Sequence, residues 1–436
     1  MNKPEAVGPD LHLLAQSCVV TECSDEMKKS LGLSYDAELP IAEPGSEAEV
    51  SEILRNAQER GLAVIPTGLG SQLFIGENPQ RTDILLSSRQ LTGIVEHSVG
   101  DLTMTVRAGT PYSEIQSYLR EHGQFIPIMP PTADESTIGG LIGTAASGPE
   151  RVLYGSWRDN VIGLRVVYPN GNIIRTGGKV VKNVAGYDMN KLFVGSHGSL
   201  GFISEVTLRV RPYPKHREMI LAHSKRLEDL TALAAWVLAS ECIPSWLELT
   251  NRPSEGLYEL AIGCDEVESA ARYQAERIRQ LASAMDSQVD YVHLIHEEME
   301  QYGLEHRTEW KQTAPDSLLL KAACPIPSMT DLLSLFEREA SSRNVSLDYT
   351  ASLGVGTLRI RLRSNDPSAL VETAQLLRQS SEQRGGYLVL EYGEESLKKD
   401  IGVWGTMQSG LSIMKGIKQT IDPACILSPG RFVGGC

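Results

Sequence analysis

The chain has 436 residues, 41% hydrophobic and 22% charged, with a formal net charge of −14. That length and composition suit a soluble globular protein of two or three domains with a large core. The acidic balance excludes a general nucleic-acid binder, which needs a basic face, while leaving room for a local basic cluster around an anionic ligand. Cysteines at 18, 23, 242, 264, 324, 425 and 436 are odd in number, scattered and free of any CxxC pair. Neither a disulfide framework nor an iron–sulfur ligand set is expected, and a reducing compartment fits best. The apolar run near the N-terminus is short and broken by Gln16. No run of about 18 apolar residues occurs, so the reading is a cytoplasmic chain without a membrane span.

Residues 1–39 read as an N-terminal extension. From 40 to 214 the chain is rich in glycine and strand patterns. Glu47 to Arg60 places Val50, Ile53, Leu54 and Ala57 on one helical face and stops at Gly61. Strands are expected at 63–66, 83–87, 103–107, 161–168 and 173–176, the last two joined by the turn Pro169-Asn170-Gly171, and a short helix at 113–122. After Pro214 glycine thins out, and the order strand, helix, strand, strand, helix, strand runs from 217 to 293. A helix follows near 295–310, and the same order repeats from 317 to 391. Two βαββαβ units of this kind make ferredoxin-like sheets with helices on one face and the other face free, which predicts a cap over residues 215–391. Residues 392–436 read as a returning C-terminal segment. The fold class expected is α+β.

Three loops carry the chemical signal. In "PTGLGS", Pro66, Thr67, Gly68, Leu69, Gly70 and Ser71 follow a buried strand, and glycine there lets backbone N–H groups converge on an anion. In "TIGGLIGTAASGPERVLYGS", Thr137, Gly139, Gly140, Ser147, Gly148, Tyr154 and Gly155 belong to a stretch whose small residues let a flat ligand touch backbone; packing under a neighbouring strand is the plainer alternative. "VGSHGSLGFISEV" has glycines at 195, 198 and 201, spaced GxxGxxG and leading into a strand. The dinucleotide fingerprint has a different spacing and leads into a helix. Arg151, Arg158, Arg165, Arg175, Lys179 and Lys182 stand against one acid, Asp159, and suit a pyrophosphate; a solvated basic face is the alternative. His293 and His296 lack a third ligand and read as surface residues.

The order "PTGLGS", "TIGG", "SGPxxxxYGSxRD", "GGKVVKNVAGYDMNKLFVGSHGSLGFISEVTLRV" and "SPGRFVGG" resembles the FAD-linked oxidases of the vanillyl-alcohol-oxidase type, with a PCMH-type FAD-binding domain. Within that family it is similar to the shorter flavoprotein subunits of bacterial glycolate oxidases. The likeness covers about residues 40–214 and 386 to the C-terminus. It implies FAD held by the three loops, with the backbone at Ile203 on the cofactor side. Gly70 stands where covalently flavinylated members carry histidine, which implies noncovalent FAD. Larger relatives carry HxGDGNxH on the cap and bind a divalent metal there. This chain reads "SLGVGTLR", Ser352 to Arg359, so no metal is expected. Candidates for acting near the flavin are Lys182, Tyr187 and Arg431, with Arg359 a possible carboxylate clamp. The resemblance further implies a subunit of a glycolate-oxidase-like complex. It would oxidise a small 2-hydroxy acid, glycolate or D-lactate, or relay its electrons, beside a catalytic FAD subunit and an iron–sulfur subunit. Membrane association would be at most peripheral, at the inner membrane through the complex. A non-catalytic assembly subunit with structural FAD and a self-sufficient 2-hydroxy-acid dehydrogenase are the alternatives.

Overall fold

The computed structural model describes residues 18–36, 38–178, 187–285, 289–311, 317–406 and 409–435. Helix Glu47–Arg60 begins where the Ser46 side chain accepts from the Glu49 N–H and ends at Gly61, whose φ of 66° is left-handed. Its buried face packs over a four-stranded sheet in the order Val19–Glu22, Pro40–Glu43, Ile84–Ser87, Val64–Thr67. The last three strands are parallel neighbours and the first is antiparallel.

A second sheet of five antiparallel strands runs Ile94–Ser98, Thr103–Arg107, Phe202–Arg209, Val161–Val167, Ile173–Gly177. Its central strand alternates as the sequence implies: Phe202, Ser204, Val206 and Leu208 are buried, and Ile203 faces the other way. The first sheet and this one form the two parts of the region that the resemblance expects to bind flavin, and Val167 and Phe202 pack against the helix and strands of the first.

The remaining strands make one eight-stranded antiparallel sheet in the order Asp290–Ile295, His216–Ser224, Leu257–Glu266, Trp246–Arg252, Ser346–Ser352, Thr357–Arg363, Ser317–Ala323, Tyr387–Tyr392. Each half is a βαββαβ unit with internal order 4-1-3-2. The second half is the mirror of the first in the list, so the two meet through their second strands. Helices Leu227–Ala239, Glu268–Ser283, Met329–Ser342 and Pro367–Gln383 bury one face in the largest core of the protein. The opposite face carries Trp246, Glu248 and Thr350. It is covered by helix Glu297–Glu309 and by the flavin-binding region. Gly354, in the hairpin after Ser352, lets the cap seat closely, since a Cβ there would come within 2.4 Å of the Val152 side chain.

The C-terminal segment closes the flavin-binding region. Leu427 bridges in parallel to Val64, and the Ser428 N–H donates to the Val64 carbonyl at 2.9 Å. Behind it the Lys418 ammonium, buried, donates to Asp422 at 2.7 Å and to the carbonyls of Ser199 and Leu427 at 2.8 Å. Asp422 accepts in turn from the N–H groups of Ile426 and Leu427. Removing one partner of such a buried, fully hydrogen-bonded pair leaves the other uncompensated. Lys418→Met is expected to lower stability by about 3 kcal/mol, read by urea unfolding. A loss under about 1 kcal/mol, the size of an exposed pair, would show that the clasp does not hold the segment.

Candidate functional site

Three loops meet in one groove. The turn after strand Val64–Thr67 supplies Gly68 to Ser71, the start of helix Ile138–Thr144 supplies Thr137, Gly139 and Gly140, and the turn before strand Phe202–Arg209 supplies Ser196 to Gly201. The loops hold one another at distances that side chains would forbid. A Cβ on Gly68 would fall 2.2 Å from Thr137 Oγ1, and one on Gly139 would fall 2.8 Å from the Ala108 Cβ. Gly70 sits at φ 87°, where only glycine is at ease. Thr137 caps its helix, its hydroxyl accepting from the Gly140 N–H at 3.1 Å. The result is a trough walled largely by backbone, which fits a long, flat ligand with a phosphate-bearing middle.

Arg431 is the only cation on the wall of this groove among the described residues. It is buried and donates from Nη2 to the carbonyls of Leu73 and Ile75 at 2.7 Å each, and burial lowers its pKa to about 10. His197, unmentioned as a site residue from the sequence, also lines the groove. Its φ is 51°, its N–H donates to the Gly143 carbonyl at 2.8 Å, and its ring packs beside Trp404 and Phe432. Burial holds its pKa down to about 3, so the imidazole is neutral at physiological pH. Its position inside "VGSHGSLGF" was the available signal, masked by the glycines around it.

Three residues beyond Thr144, the chain enters a second cavity. Ser147, Gly148 and Pro149 form one wall, and the free face of the cap sheet forms the other with Glu248, Lys321, Thr350, Ser352, Thr357 and Arg359; His306, Arg307 and Trp310 close the end. The sheet residues form one continuous patch by register: Glu248 opposes Ser352, Ser352 opposes Thr357, Thr350 opposes Arg359 and Arg359 opposes Lys321. Arg359 pairs with Glu391 at 3.7 Å. Burial lowers the Lys321 pKa, Glu391 opposing the shift. Burial raises Glu248 to about 7, and it lowers His306 to about 4. Ser352 Oγ, His306 Nδ1, Arg307 Nε and Trp310 Nε1 are buried without a hydrogen-bond partner. Most buried polar atoms are satisfied in folded proteins, so four orphans around one cavity with three cations mark a place for a polar anion.

The structure sorts the residues singled out from the sequence. Pro66 to Ser71, Thr137, Gly139, Gly140, Ile203 and Arg431 share the groove, whereas Ser147, Gly148 and Arg359 share the second cavity. Tyr154 and Gly155 line neither. Tyr154 packs edge-on against Phe125 with its hydroxyl 3.5 Å from Asp265, and Gly155 makes the turn at φ 77° above Asp159. Tyr187 is 93% exposed and lines neither cavity. Lys182 and Lys179 lie outside the described residues. Among the described residues of the basic run none lines the groove: Arg165 is turned to Glu47, which also accepts from Ser204, and Arg158 is exposed. The described wall of the groove is largely backbone. Among the described residues, no group of three or more His, Cys, Asp or Glu is arranged to hold a metal ion. His293 and His216 both reach the buried Glu218, at 2.8 and 2.7 Å. No helix among the described residues is long and apolar enough to cross a membrane.

Residues 39–177 match the family model of an FAD binding domain. The chain is 28% identical over 433 residues to the glycolate oxidase subunit GlcD of Bacillus subtilis, covering 92% of this chain and 91% of that one. Against the mitochondrial D-lactate dehydrogenase [cytochrome] of Arabidopsis thaliana it is 26% identical over 418 residues, covering 89% and 72%. Glycolate oxidase subunit GlcE of Escherichia coli is 35% identical over 194 residues, but covers only 44% of this chain and 55% of its own length. The likeness to the shorter subunit is therefore partial, and the likeness that runs through the cap is to the GlcD type. The fold is shared with a solved alkyldihydroxyacetonephosphate synthase, at a TM-score of 0.70 and 17% identity over 91% of this chain and 78% of that one.

The matched domain and the glycine-walled groove define a flavoprotein. Residues 39–177 are an FAD binding domain and FAD is the cofactor of this chain, which is similar to PCMH-type FAD-linked oxidoreductases. Gly68→Val is expected to remove most of the bound flavin, because the side chain would displace Thr137 and unmake the helix cap. The ratio of flavin to protein absorbance in purified protein measures it; a wild-type ratio would mean that the loop does not approach the cofactor.

Proposed function

We propose that this chain oxidises a small 2-hydroxy acid with noncovalent FAD. The groove residues Gly68 to Ser71, Thr137, Gly139 and Gly140 would hold the pyrophosphate and ribityl portions through backbone groups, with Arg431 and Ile203 farther along. FAD, when bound, supplies the two-electron acceptor. The work of the protein is to seat the acid against it and exclude water. Ser147 to Pro149 continue the chain from the groove wall into the cavity that carries Arg307, Lys321 and Arg359. That cavity is the observation that carries the reading, since its uncompensated donors match a carboxylate and an adjacent hydroxyl. Arg359 offers a planar fork to a carboxylate and is backed by Glu391. The names of the relatives, a glycolate oxidase subunit, a D-lactate dehydrogenase and a D-2-hydroxyglutarate dehydrogenase, support the same substrate class.

From the sequence alone, Arg359 was an isolated candidate on a strand stripped of histidines. In company with Lys321 and Arg307 it favours substrate oxidation within this chain over a purely structural flavin. The electrons would then leave to a second protein, an iron–sulfur subunit of a glycolate-oxidase-like complex. The likeness to both GlcD and GlcE supports such an assembly.

The experiment is anaerobic titration of the purified holoprotein with glycolate, D-lactate and D-2-hydroxyglutarate, following flavin bleaching. At least one acid should reduce the flavin. Arg359→Ala should weaken its apparent binding by about 10- to 100-fold, the range of one charge-assisted hydrogen-bonding interaction. A flavin inert to every acid would favour the assembly-subunit reading. Acid precipitation should leave the yellow colour in the supernatant; colour retained in the pellet would contradict noncovalent attachment.

A further inference from the structure

Among the described residues, Glu248 is the one carboxyl group on the wall of the second cavity. It lies at the junction of the two cap halves, 5% exposed, opposite Ser352 on the neighbouring strand. The Thr350 hydroxyl donates to its Oε2 at 3.1 Å. The Ser352 hydroxyl lies beside it and favours its charged form. Arg359 stands two strands away and two residues along, roughly 12 Å between backbones by strand spacing and rise, and Lys321 one strand further on the same face. An acid whose carboxylate rests on Arg359 and Lys321 shares the cavity wall with Glu248, which stands in the adjacent cross-strand row.

We propose that Glu248 is the catalytic residue that takes the proton from the substrate hydroxyl. The inference rests on the substrate reading above. In the step, the α-C–H bond breaks with its electron pair passing to the flavin, which is the oxidant. The O–H bond breaks with its proton passing to a carboxylate oxygen of Glu248, and the C–O bond becomes C=O. A 2-oxo acid and reduced flavin result, and Glu248 later returns the proton to water.

The other titratable and charged groups that face Glu248 suit the task less. Arg307, Lys321 and Arg359 are cations placed to bind the anion. His306, from helix Glu297–Glu309, is held near 4 by burial and takes protons poorly at neutral pH. Tyr302, on the same helix, is pushed far above its usual range by burial. Glu150 lies under Gly148 and opens on the neighbouring cleft rather than on this cavity. Burial of Glu248, countered in part by the Ser352 and Thr350 hydroxyls, raises its carboxyl to about 7, where a general base both exists ionised and accepts a proton readily. The base works deprotonated, so the rate should rise as pH passes through about 7 and level off above it.

The test uses the holoprotein and whichever of glycolate, D-lactate and D-2-hydroxyglutarate reduces wild-type flavin fastest. E248Q should slow single-turnover flavin reduction by roughly 100-fold or more and abolish the rise with pH, while E248D keeps a rise at a shifted pH. Oxalate, a non-reducing probe that perturbs the flavin spectrum, should bind E248Q as tightly as wild type, separating proton transfer from binding. Infrared difference spectra of wild type across the same pH range should show a protonated carboxyl band that E248Q lacks, a readout independent of turnover. Should E248Q not retain FAD, E248D and the wild-type infrared titration decide. Wild-type rates or an unchanged pH profile in the variants would overturn the assignment of Glu248 alone. A wild-type flavin that no 2-hydroxy acid reduces would overturn the substrate reading and this inference with it.

Discussion

Three residue pairs, Glu248 with Ser352, Leu249 with Ala351 and Thr250 with Thr350, join the two halves of the cap. The seam is short, but everything distinctive about the protein is built around it. Leu249 and Ala351 point into the helix-covered core, so the pleat sends Glu248, Thr350 and Ser352 to the other face. A slip of one residue would exchange the two sets and bury the polar row in the apolar core. The Thr250–Thr350 hydroxyl contact at 3.3 Å and the Asn251 side chain pin this register. Asn251 accepts from the Tyr349 N–H at 2.6 Å and donates to the Leu347 carbonyl at 2.8 Å.

The consequence is a cavity that is electrostatically unfavourable when empty of an anion. Charged groups lose hydration on burial and recover it only through partners. Glu391 offsets Arg359, while Arg307 Nε, Trp310 Nε1 and Ser352 Oγ stay unmatched. The flavin groove solves its own anion problem differently, with glycine backbone and a single braced arginine. On the proposed reading two binding modes serve one reaction: a backbone trough for the cofactor, and a side-chain cavity for a small acid. Where the resemblance implies histidines and a metal in larger relatives, this chain has Arg359 in a row with Lys321.

Much of the architecture was legible because it rests on short-range patterns. The alternating strands and amphipathic helices of the cap repeat with nearly equal spacing, and the glycines at 68, 70 and 139 mark close approaches or a left-handed turn that suit glycine alone. The cavity was not legible for a corresponding reason. Glu248, His306, Lys321 and Arg359 are separated by tens of residues, and each is unremarkable in its own element. Only the meeting of the two repeats through their second strands brings them together. The described arginines of the basic run, Arg158 and Arg165, do not meet at an anion site. Nearness in sequence suggested one anion site, but Arg165 on its strand serves Glu47 and Arg158 faces solvent. Tyr154 was drawn in by the same proximity, although its hydroxyl turns to Asp265 in the cap sheet.

The central claim is that side-chain cations, not a metal, hold a small carboxylate beneath the cap. Equilibrium binding of oxalate to the holoprotein, followed by the flavin absorbance in the presence of a strong chelator, tests it most directly. The account predicts binding that chelation leaves unchanged and that weakens when Lys321 is replaced by methionine. Binding abolished by the chelator and restored by a divalent ion would contradict it.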